Sequence, residues 1–206
     1  MANSGQQDRP TRQWLAAPER RRQLLQVALG VAANRGLGRT GHAEIARQAG
    51  VAVSSVFLYF PTRQELIAAI VAEVGRFYIA LAERYHVDAP SPLAAVRAHL
   101  HGFADSVRSD PDYAQVWLEW AVLIRNDDGL WDSFLEFQEH IIRILTTSIR
   151  RAQKAGEVAR QLRAADAARL VVAAAYTVTQ LQFMHRSRRT VHSYTEQALD
   201  LALQHP

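Results

Sequence analysis

A short polar and aromatic segment carries the side chains whose types and spacing suggest chemistry. Four of them fall on the outer side of a short predicted helix: Ser54, Ser55, Leu58 and Tyr59. The helix must end before Pro61, because proline disfavours helical geometry in the residue that precedes it. Serine hydroxyls bond to base edges or phosphate, a tyrosine hydroxyl donates to phosphate, and leucine packs on a thymine methyl group. With Arg63 just beyond as a phosphate clamp, the segment predicts a surface that fits a DNA groove.

The residues before this segment supply the other half of a helix-turn-helix. Thr40 is expected to cap a second short helix that runs to Ala49 and ends at Gly50. A small residue at the turn and an apolar inner face on both helices are what this motif needs. The Thr40 hydroxyl and the neighbouring backbone amides suit a phosphate oxygen, and Arg39 lies next to them. We therefore expect Arg39 and Thr40 to contact the DNA backbone.

Positive charge is concentrated in the same third of the chain. Residues 1–63 hold nine arginines and three acidic residues, whereas the whole chain of 206 residues has a formal net charge of +4. A cluster of arginine suits phosphate oxygens and guanine edges. A solvated charged surface is the alternative that charge alone leaves open.

Helical periodicity dominates the rest of the sequence, with glycine and proline sparse in the interior. We predict an all-α fold of about nine helices, with an N-terminal three-helix domain joined by a long fourth helix to a C-terminal bundle. The expected divisions are a flexible basic arm at 1–17, the helix-turn-helix domain at 18–62 and a ligand-binding and dimerisation bundle at 63–206.

Two motifs carry a resemblance to a known family. The segment Gly41-His42-Ala43-Glu44-Ile45-Ala46 and the segment Val56-Phe57-Leu58-Tyr59-Phe60-Pro61-Thr62-Arg63 resemble the DNA-binding domain of the TetR family of regulators. Within that family the chain resembles the HapR/SmcR/LuxR-type quorum-sensing master regulators. The likeness extends to Val116-Trp117-Leu118-Glu119-Trp120 and to Arg151-Ala152, Ala155-Gly156-Glu157-Val158. The resemblance implies a homodimeric transcriptional regulator that binds a pseudo-palindromic operator in double-stranded DNA.

Two positions depart from the pattern of this branch. Ala52 stands where a serine usually caps the third helix, and loss of such a cap costs about 1 kcal/mol. Leu58 stands where the branch usually has asparagine, so the bidentate amide contact with adenine is lost and contact with a thymine methyl group is gained. We expect an operator shifted from the branch consensus.

The N-terminal residues also resemble a feature of the branch. Arg9-Pro10-Thr11-Arg12 is similar to a basic arm that some members lay into the minor groove, where arginine is favoured. The resemblance thus adds Arg9 and Arg12 to the expected DNA contacts. A disordered tail with incidental arginines is the alternative.

The C-terminal bundle is expected to enclose a site for a small-molecule effector. By resemblance, four residues fall where this branch lines its pocket: Tyr78, Trp117, Glu136 and His140. Glu136 and His140 stand four residues apart on one helix face, and if they line a cavity they favour a polar or cationic ligand. Aromatic side chains at helical spacing are otherwise simple core, and Glu136 and His140 are otherwise a surface pair.

Dimerisation is assigned to the last two helices, because the eighth is apolar on more than one face. The interface residues we expect are Val171, Ala174, Ala175, Val178, Leu199 and Leu203. Two such helix pairs make a four-helix contact with two-fold symmetry. Ordinary core within one chain is the alternative.

Other classes of function find little support. The sequence holds no glycine-rich phosphate loop, no His-Glu-x-x-His pair and no Gly-x-Ser-x-Gly elbow, so we expect no catalytic site, no metal and no cofactor. It has no cysteine and no apolar run long enough for a membrane span, which favours a cytoplasmic protein without membrane contact. A helical interaction protein that has lost DNA binding is the remaining alternative, because of Ala52 and Leu58.

Overall fold

The computed structural model describes residues 16–87, 89–123, 128–184 and 187–204, and these form nine α-helices and one short 3₁₀ helix. Their bounds are α1 Ala17–Arg35, α2 His42–Ala49, α3 Val53–Tyr59, α4 Arg63–Val87, α5 Pro92–Ser109, α6 Pro111–Leu123, α7 Asp128–Ala155, α8 Ala164–Phe183 and α9 Arg188–Gln204, with the 3₁₀ turn at Leu37–Arg39. The all-α fold class is confirmed. Arg9 and Arg12 lie outside the described residues.

The first three helices end where the sequence indicates. Pro18 occupies the first turn of α1, and Gly36 follows it with a φ of 96°. Gly50 ends α2 in the left-handed conformation, with a φ of 65°, which a side chain would strain. These two glycines allow the sharp turns that bring α2 and α3 together against α1.

The long helix α4 begins at a side-chain cap. The Glu65 N–H donates to Thr62 Oγ1 at 3.1 Å, as the Thr-x-x-Glu pattern predicts. The helix continues to Val87, and it packs against α1 of the head as well as against α5, α6 and α7. One element thus joins the N-terminal head, residues 16–62, to the bundle of the remaining helices.

The last helix begins at Arg188. The reason is a local cap, because the Thr190 N–H donates to Ser187 Oγ at 3.1 Å. At the other end of the bundle, Ser91 Oγ accepts the Ala94 N–H at 3.2 Å and begins α5 at Pro92.

The head and the bundle share one continuous apolar core. Trp120 of α6 is buried against Phe134 and Phe137 of α7, with ring centroids 5.2 and 5.6 Å away. The same helix α6 packs on α1 of the head. Glu119, on α6, accepts the Leu37 N–H of the 3₁₀ turn. The head is therefore fixed to the bundle through α6 as well as through α4.

Candidate nucleic-acid interface and bundle cavity

The outward side of α3 carries the exposed side chains of the head. Ser54 is exposed, and Leu58 is the most exposed large apolar residue of the head, with 76% of its surface accessible. Val53 and Phe57, which sequence reasoning did not single out, lie beside them with 41% and 46% accessible. Positions 53, 54, 57 and 58 share one side of the helix because the pairs 53/57 and 54/58 are four residues apart and the pair 54/57 is three residues apart.

The opposite side of α3 faces the core and fixes its position. Val56 and Phe60 are buried, whereas Ser55 and Tyr59 are half-buried on the flanks of the helix. The Tyr59 ring packs partly against the apolar core. Ser55 and Tyr59 are therefore placed at the edges of the exposed face and not at its centre. Ala52 provides no side-chain cap to α3, as its residue type predicts.

Phe57 is held in place by α2. Its ring stacks on the His42 ring, with centroids 4.0 Å apart and planes 6° apart. His42 is itself buried, and its Nε2 lies 2.7 Å from the Phe60 carbonyl oxygen. A half-exposed aromatic ring fixed on one face presents its other side to the surroundings.

The expected role of Thr40 is wrong. Gly41, and not Thr40, is the N-cap of α2. Thr40 is fully buried, and its hydroxyl donates to the Gly36 carbonyl oxygen at 3.0 Å. The 3₁₀ turn places Thr40 inside the head, so its side chain closes that turn and does not reach a phosphate.

Arginine side chains flank the exposed face. Arg39 and Arg63 are both exposed, and Arg63 Nη2 donates to the Gly38 carbonyl oxygen at 2.6 Å. Arg21 of α1 lies over the Phe60 ring, 5.1 Å from its centroid, which places a cation near the end of α3. In the sequence Arg21 is one of three consecutive arginines, and nothing there distinguishes it as a candidate DNA contact.

Other arginines of the head are already paired. Glu44 contacts Arg47 at 2.6 Å and Arg35 at 3.2 Å. The hydrogen bond from Arg47 is the largest influence on this carboxyl and lowers the pKa of Glu44 to about 2. Arg47 and Arg35 therefore have less charge to offer a phosphate than Arg39, for which the described residues show no ion pair.

A cavity of about 40 Å³ lies inside the bundle. Its wall comes from five helices and is largely apolar: Tyr78, Leu81, His99, Leu100, Phe103, Trp117, Phe137, Gln138, Ile141, Leu145, Val171, Val172 and Ala175. Two of the expected pocket residues, Tyr78 and Trp117, are therefore in the wall. Burial raises the pKa of Tyr78 far above its ordinary value, so its hydroxyl stays neutral.

A chain of hydrogen bonds leads from the cavity wall into the bundle. His99 Nδ1 lies 3.0 Å from His86 Nε2, and His86 Nδ1 lies 2.6 Å from Ser148 Oγ. Burial lowers the pKa of His99 to about 3 and that of His86 to about 4, with smaller contributions from the neighbouring His86 and Arg151 charges respectively. Both imidazoles are therefore neutral at pH 7.

The other two expected pocket residues do not reach the cavity. Glu136 is exposed, and His140 lies 3.6 Å from Glu83 on α4. The inward face of this stretch of α7 is offset from them, and it presents Phe137, Gln138 and Ile141 instead. Glu136 and His140 therefore lie outside the wall of this cavity, and their predicted contact with a ligand stays a prediction.

The six residues expected at the dimer interface are all buried inside the protomer: Val171, Ala174, Ala175, Val178, Leu199 and Leu203. Val171 and Ala175 line the cavity, and the others pack in the core of the bundle. Their assignment to a dimer contact stays a prediction, although their burial within the protomer leaves them little surface for a second copy. The large apolar residues that are exposed in this region are Leu170 on α8, Met184 directly after α8 and Leu201 on α9, with 57%, 60% and 67% accessible.

Comparison with known proteins agrees with this arrangement. The family described as "Bacterial regulatory proteins, tetR family" matches residues 24–70, which span the head from α1 into α4. The HTH-type transcriptional regulator LuxR of Vibrio harveyi is 33% identical over 150 residues, 71% of this chain and 71% of the relative. The chain belongs to the TetR family. It is a transcriptional regulator of that type, with a helix-turn-helix head.

Solved structures of TetR-like regulators share the whole fold. The fatty acid degradation regulator FadR from Bacillus halodurans has a TM-score of 0.75 at 17% identity, covering 92% of this chain and 96% of that one. FadR from Bacillus subtilis, solved in complex with stearoyl-CoA, has a TM-score of 0.71 at 21% identity, covering 88% and 97%. At this identity the likeness concerns the fold alone.

Two further observations on this TetR-family chain concern membrane spans and metal sites. No helix in the described part is both long enough and apolar enough to cross a membrane. Among residues 16–87, 89–123, 128–184 and 187–204, no group of three histidine or carboxylate side chains is placed to hold a metal ion.

Proposed function

We propose that this regulator binds a pseudo-palindromic operator as a homodimer, with α3 in the major groove. The observation that carries the proposal is the outward face of α3, where Val53, Ser54, Phe57 and Leu58 are exposed while Val56 and Phe60 anchor the helix to the core. A helix so anchored places its exposed side chains against base edges without moving the head.

Arg39, Arg63 and Tyr59 then position the head on the phosphate backbone. Arg39 has no competing carboxylate among the described residues, and Arg63 bonds to the 3₁₀ turn through one nitrogen, which leaves the rest of its guanidinium for a phosphate. Ser54 and Ser55 supply hydroxyls to bases or backbone. Such phosphate contacts fix the register on the duplex and do not choose the sequence.

The expected contacts of Arg9 and Arg12 with the minor groove form part of the same proposal. Comparing the salt dependence of DNA affinity for the full chain and for the Arg9→Ala, Arg12→Ala double variant tests them. Each lost phosphate contact flattens the logarithmic slope by about one unit. An unchanged slope would remove the arm from the interface.

We propose that the dimer contact involves the outward sides of α8 and α9. Leu170, Ala173, Thr177 and Met184 recur at helical spacing on the exposed side of α8, and Leu201 is exposed on α9. Exposed leucines on neighbouring helices favour burial against a second copy. Because the α8 residues first expected at the interface are already buried, the contact must use this other face.

Sedimentation tests the dimer face with a matched control. Leu170→Asp and Leu201→Asp are expected to shift the protein from dimer to monomer, because an unpaired carboxylate is costly in a buried contact. Val122→Asp, which replaces an equally exposed apolar residue on α6, should leave the dimer intact. Dimers that survive both interface variants would place the contact elsewhere.

The cavity is proposed as the effector site, for a small, neutral and largely apolar molecule. Its wall holds no charged side chain. The imidazole of His99 is neutral, and Gln138 contributes an uncharged amide. This differs from the polar or cationic ligand inferred from Glu136 and His140. The relative FadR from Bacillus subtilis was solved with stearoyl-CoA. A chain of that size does not fit 40 Å³ without movement of the wall.

A small-molecule screen by melting temperature tests the cavity. Compounds that raise the melting temperature of the wild type should lose that effect with Ile141→Trp, which fills the cavity, and keep it with Glu136→Ala, which lies outside it. A shift that depends on Glu136 and not on Ile141 would contradict the proposed site.

DNA binding is tested by gel shift with the upstream region of the protein's own gene and by selection from random duplexes. A retarded complex with one dimer per symmetric site is expected. A chain that selects no duplex at all would favour the alternative of an interaction protein without DNA binding.

A further inference from the structure

The exposed face of α3 is chemically unusual for a surface that contacts DNA bases. Of its four outward residues, Val53, Phe57 and Leu58 are apolar and only Ser54 is polar. The seven residues of α3 include no amide, carboxylate or guanidinium. The side chains that usually select adenine, guanine or cytosine through paired hydrogen bonds are therefore absent from this helix.

No contact among the described residues covers the outward surfaces of these side chains. Val56 and Phe60 already fill the contact between α3 and the core, while on the other side Phe57 contacts the His42 ring with one face and leaves its other face exposed. A cluster of exposed apolar side chains marks a surface that is covered in the functional state. The arginines around it fit a polyanion as the covering partner.

The major groove offers one apolar group to such a surface. Thymine carries a 5-methyl group there, whereas adenine, guanine and cytosine present only hydrogen-bond donors and acceptors. Burial of this methyl group against leucine, phenylalanine or valine is favourable without a hydrogen bond. The chemistry of the face therefore matches thymine and no other unmodified base.

We propose that α3 selects its operator mainly through contact of Leu58, with Phe57 and Val53 beside it, with the 5-methyl groups of thymines. The inference rests on the proposed DNA binding by α3 and specifies its sequence preference. Leu58 is the principal contact because it is the most exposed of the three apolar residues on this face, with 76% of its surface accessible. Phe57 is a fixed second contact because the His42 ring stacks on its inner side at 4.0 Å.

The test removes methyl groups from the DNA instead of atoms from the protein. Operator duplexes from an unbiased selection are prepared with deoxyuridine replacing one thymine at a time, and the affinities of the wild type and of Leu58→Ala are measured on each. Uracil differs from thymine only by the methyl group, so hydrogen bonding is unchanged. Each contacted thymine should cost about fourfold in wild-type affinity, and the symmetric pair about fifteenfold, from the transfer free energy of one methyl group.

The Leu58→Ala variant shows whether the loss of affinity on uracil depends on the Leu58 side chain. On uracil at the positions that Leu58 contacts, Leu58→Ala should show almost no further loss, because the contact is already missing. Ser54→Ala is the matched control on the same helix face. It is expected to weaken binding to thymine and uracil duplexes equally, so the uracil penalty stays at about fourfold.

The outcomes separate this inference from the function on which it rests. Tight wild-type binding to a selected operator with no uracil penalty at any position overturns the methyl contact and leaves DNA binding standing. A penalty that persists unchanged in Leu58→Ala assigns the methyl contact to another residue and overturns the role of Leu58. Failure to select any duplex overturns both proposals together.

Discussion

The outward face of α3 and the wall of the bundle cavity are both suited to a ligand, and they are built differently. The face consists of Val53, Ser54, Phe57 and Leu58 of one short helix, whereas the cavity wall consists of residues from α4, α5, α6, α7 and α8. A face on one helix follows from helical periodicity, but a wall of five helices depends on how each helix is rotated in the bundle. The two surfaces should accordingly respond to substitutions in different ways.

The largest effect is expected from the inner side of α3. Val56→Asp places a carboxylate in a fully buried apolar position and should lower the free energy of unfolding by about 3–5 kcal/mol. Val53→Asp, three residues away and exposed, should change it by less than about 0.5 kcal/mol. Both variants should lose DNA binding, the first by unfolding the head and the second by repulsion of phosphates. Denaturant unfolding followed by gel shift distinguishes them. Equal stability of the two would contradict the orientation of α3.

The next effect concerns the link between the two surfaces. Glu119→Ala removes the acceptor of the Leu37 N–H and should cost about 1–3 kcal/mol, because that backbone donor is left without its partner. DNA affinity should fall as well, since the 3₁₀ turn orients α2. Gln115→Ala is the matched control, since Gln115 Nε2 touches the same carboxylate at 3.3 Å without holding the turn. A Glu119→Ala protein with wild-type affinity would show that the head does not depend on α6.

His99 in the cavity wall should make the free energy of unfolding depend on pH. The pKa of His99 is lowered to about 3, so the unfolded chain takes up its proton near the ordinary value of 6.5 while the folded chain does not. The contribution of His99 to the stability of the folded protein is therefore fully present above pH 6.5 and is lost as the pH falls toward 3. Between pH 7 and pH 5 the loss should be on the order of 2 kcal/mol.

His99→Phe isolates that contribution. The difference in unfolding free energy between pH 7 and pH 5 should shrink in this variant relative to the wild type, measured by urea denaturation at both values. His140→Phe, at a half-exposed position outside the cavity, is the control and should keep the wild-type difference. An identical pH dependence in wild type and His99→Phe would contradict a neutral, buried His99.

The smallest effect separates neighbours on α7. Gln138 lines the cavity and its Nε2 donates to the Tyr176 hydroxyl at 2.7 Å, so Gln138→Ala should cost about 1 kcal/mol. Glu136→Ala, on the exposed side, should change stability by less than about 0.5 kcal/mol. Thermal unfolding of the pair measures the difference. A larger loss for Glu136→Ala would mean that α7 is rotated relative to the orientation described.

Sequence was sufficient for the fold and for most of the head. Gly36, Gly50, Pro61 and the cap at Thr62 mark ends and starts that any helical arrangement must respect, and the structure has them at these places. The sequence did not reveal that Thr40 is buried, because its burial follows from the 3₁₀ turn between α1 and α2, and no sequence pattern predicts that turn. Val53 and Phe57 were overlooked because the position of the core relative to a seven-residue helix is not visible in its periodicity.

The bundle was harder to predict for a related reason. Tyr78 and Trp117 are large and apolar, so they lie inside at almost any rotation of their helices. Glu136 and His140 were assigned from resemblance, and a modest rotation of α7 separates them from the cavity. Small residues of α8 such as Ala174 and Ala175 suit contact with a partner or with the chain's own helices equally well, so the sequence could not decide between them.

The most direct measurement of the central claim is a selection of bound sequences from random duplex DNA with the wild type and with Leu58→Glu, accompanied by thermal unfolding of both. The wild type is expected to select a two-fold symmetric sequence whose half-sites lie one helical turn, or a multiple of it, apart. Leu58→Glu should unfold at the wild-type temperature and select no sequence, because its charge stands on the exposed face of α3. Selection of the same sequence at similar affinity by Leu58→Glu would contradict the claim that this face contacts the operator.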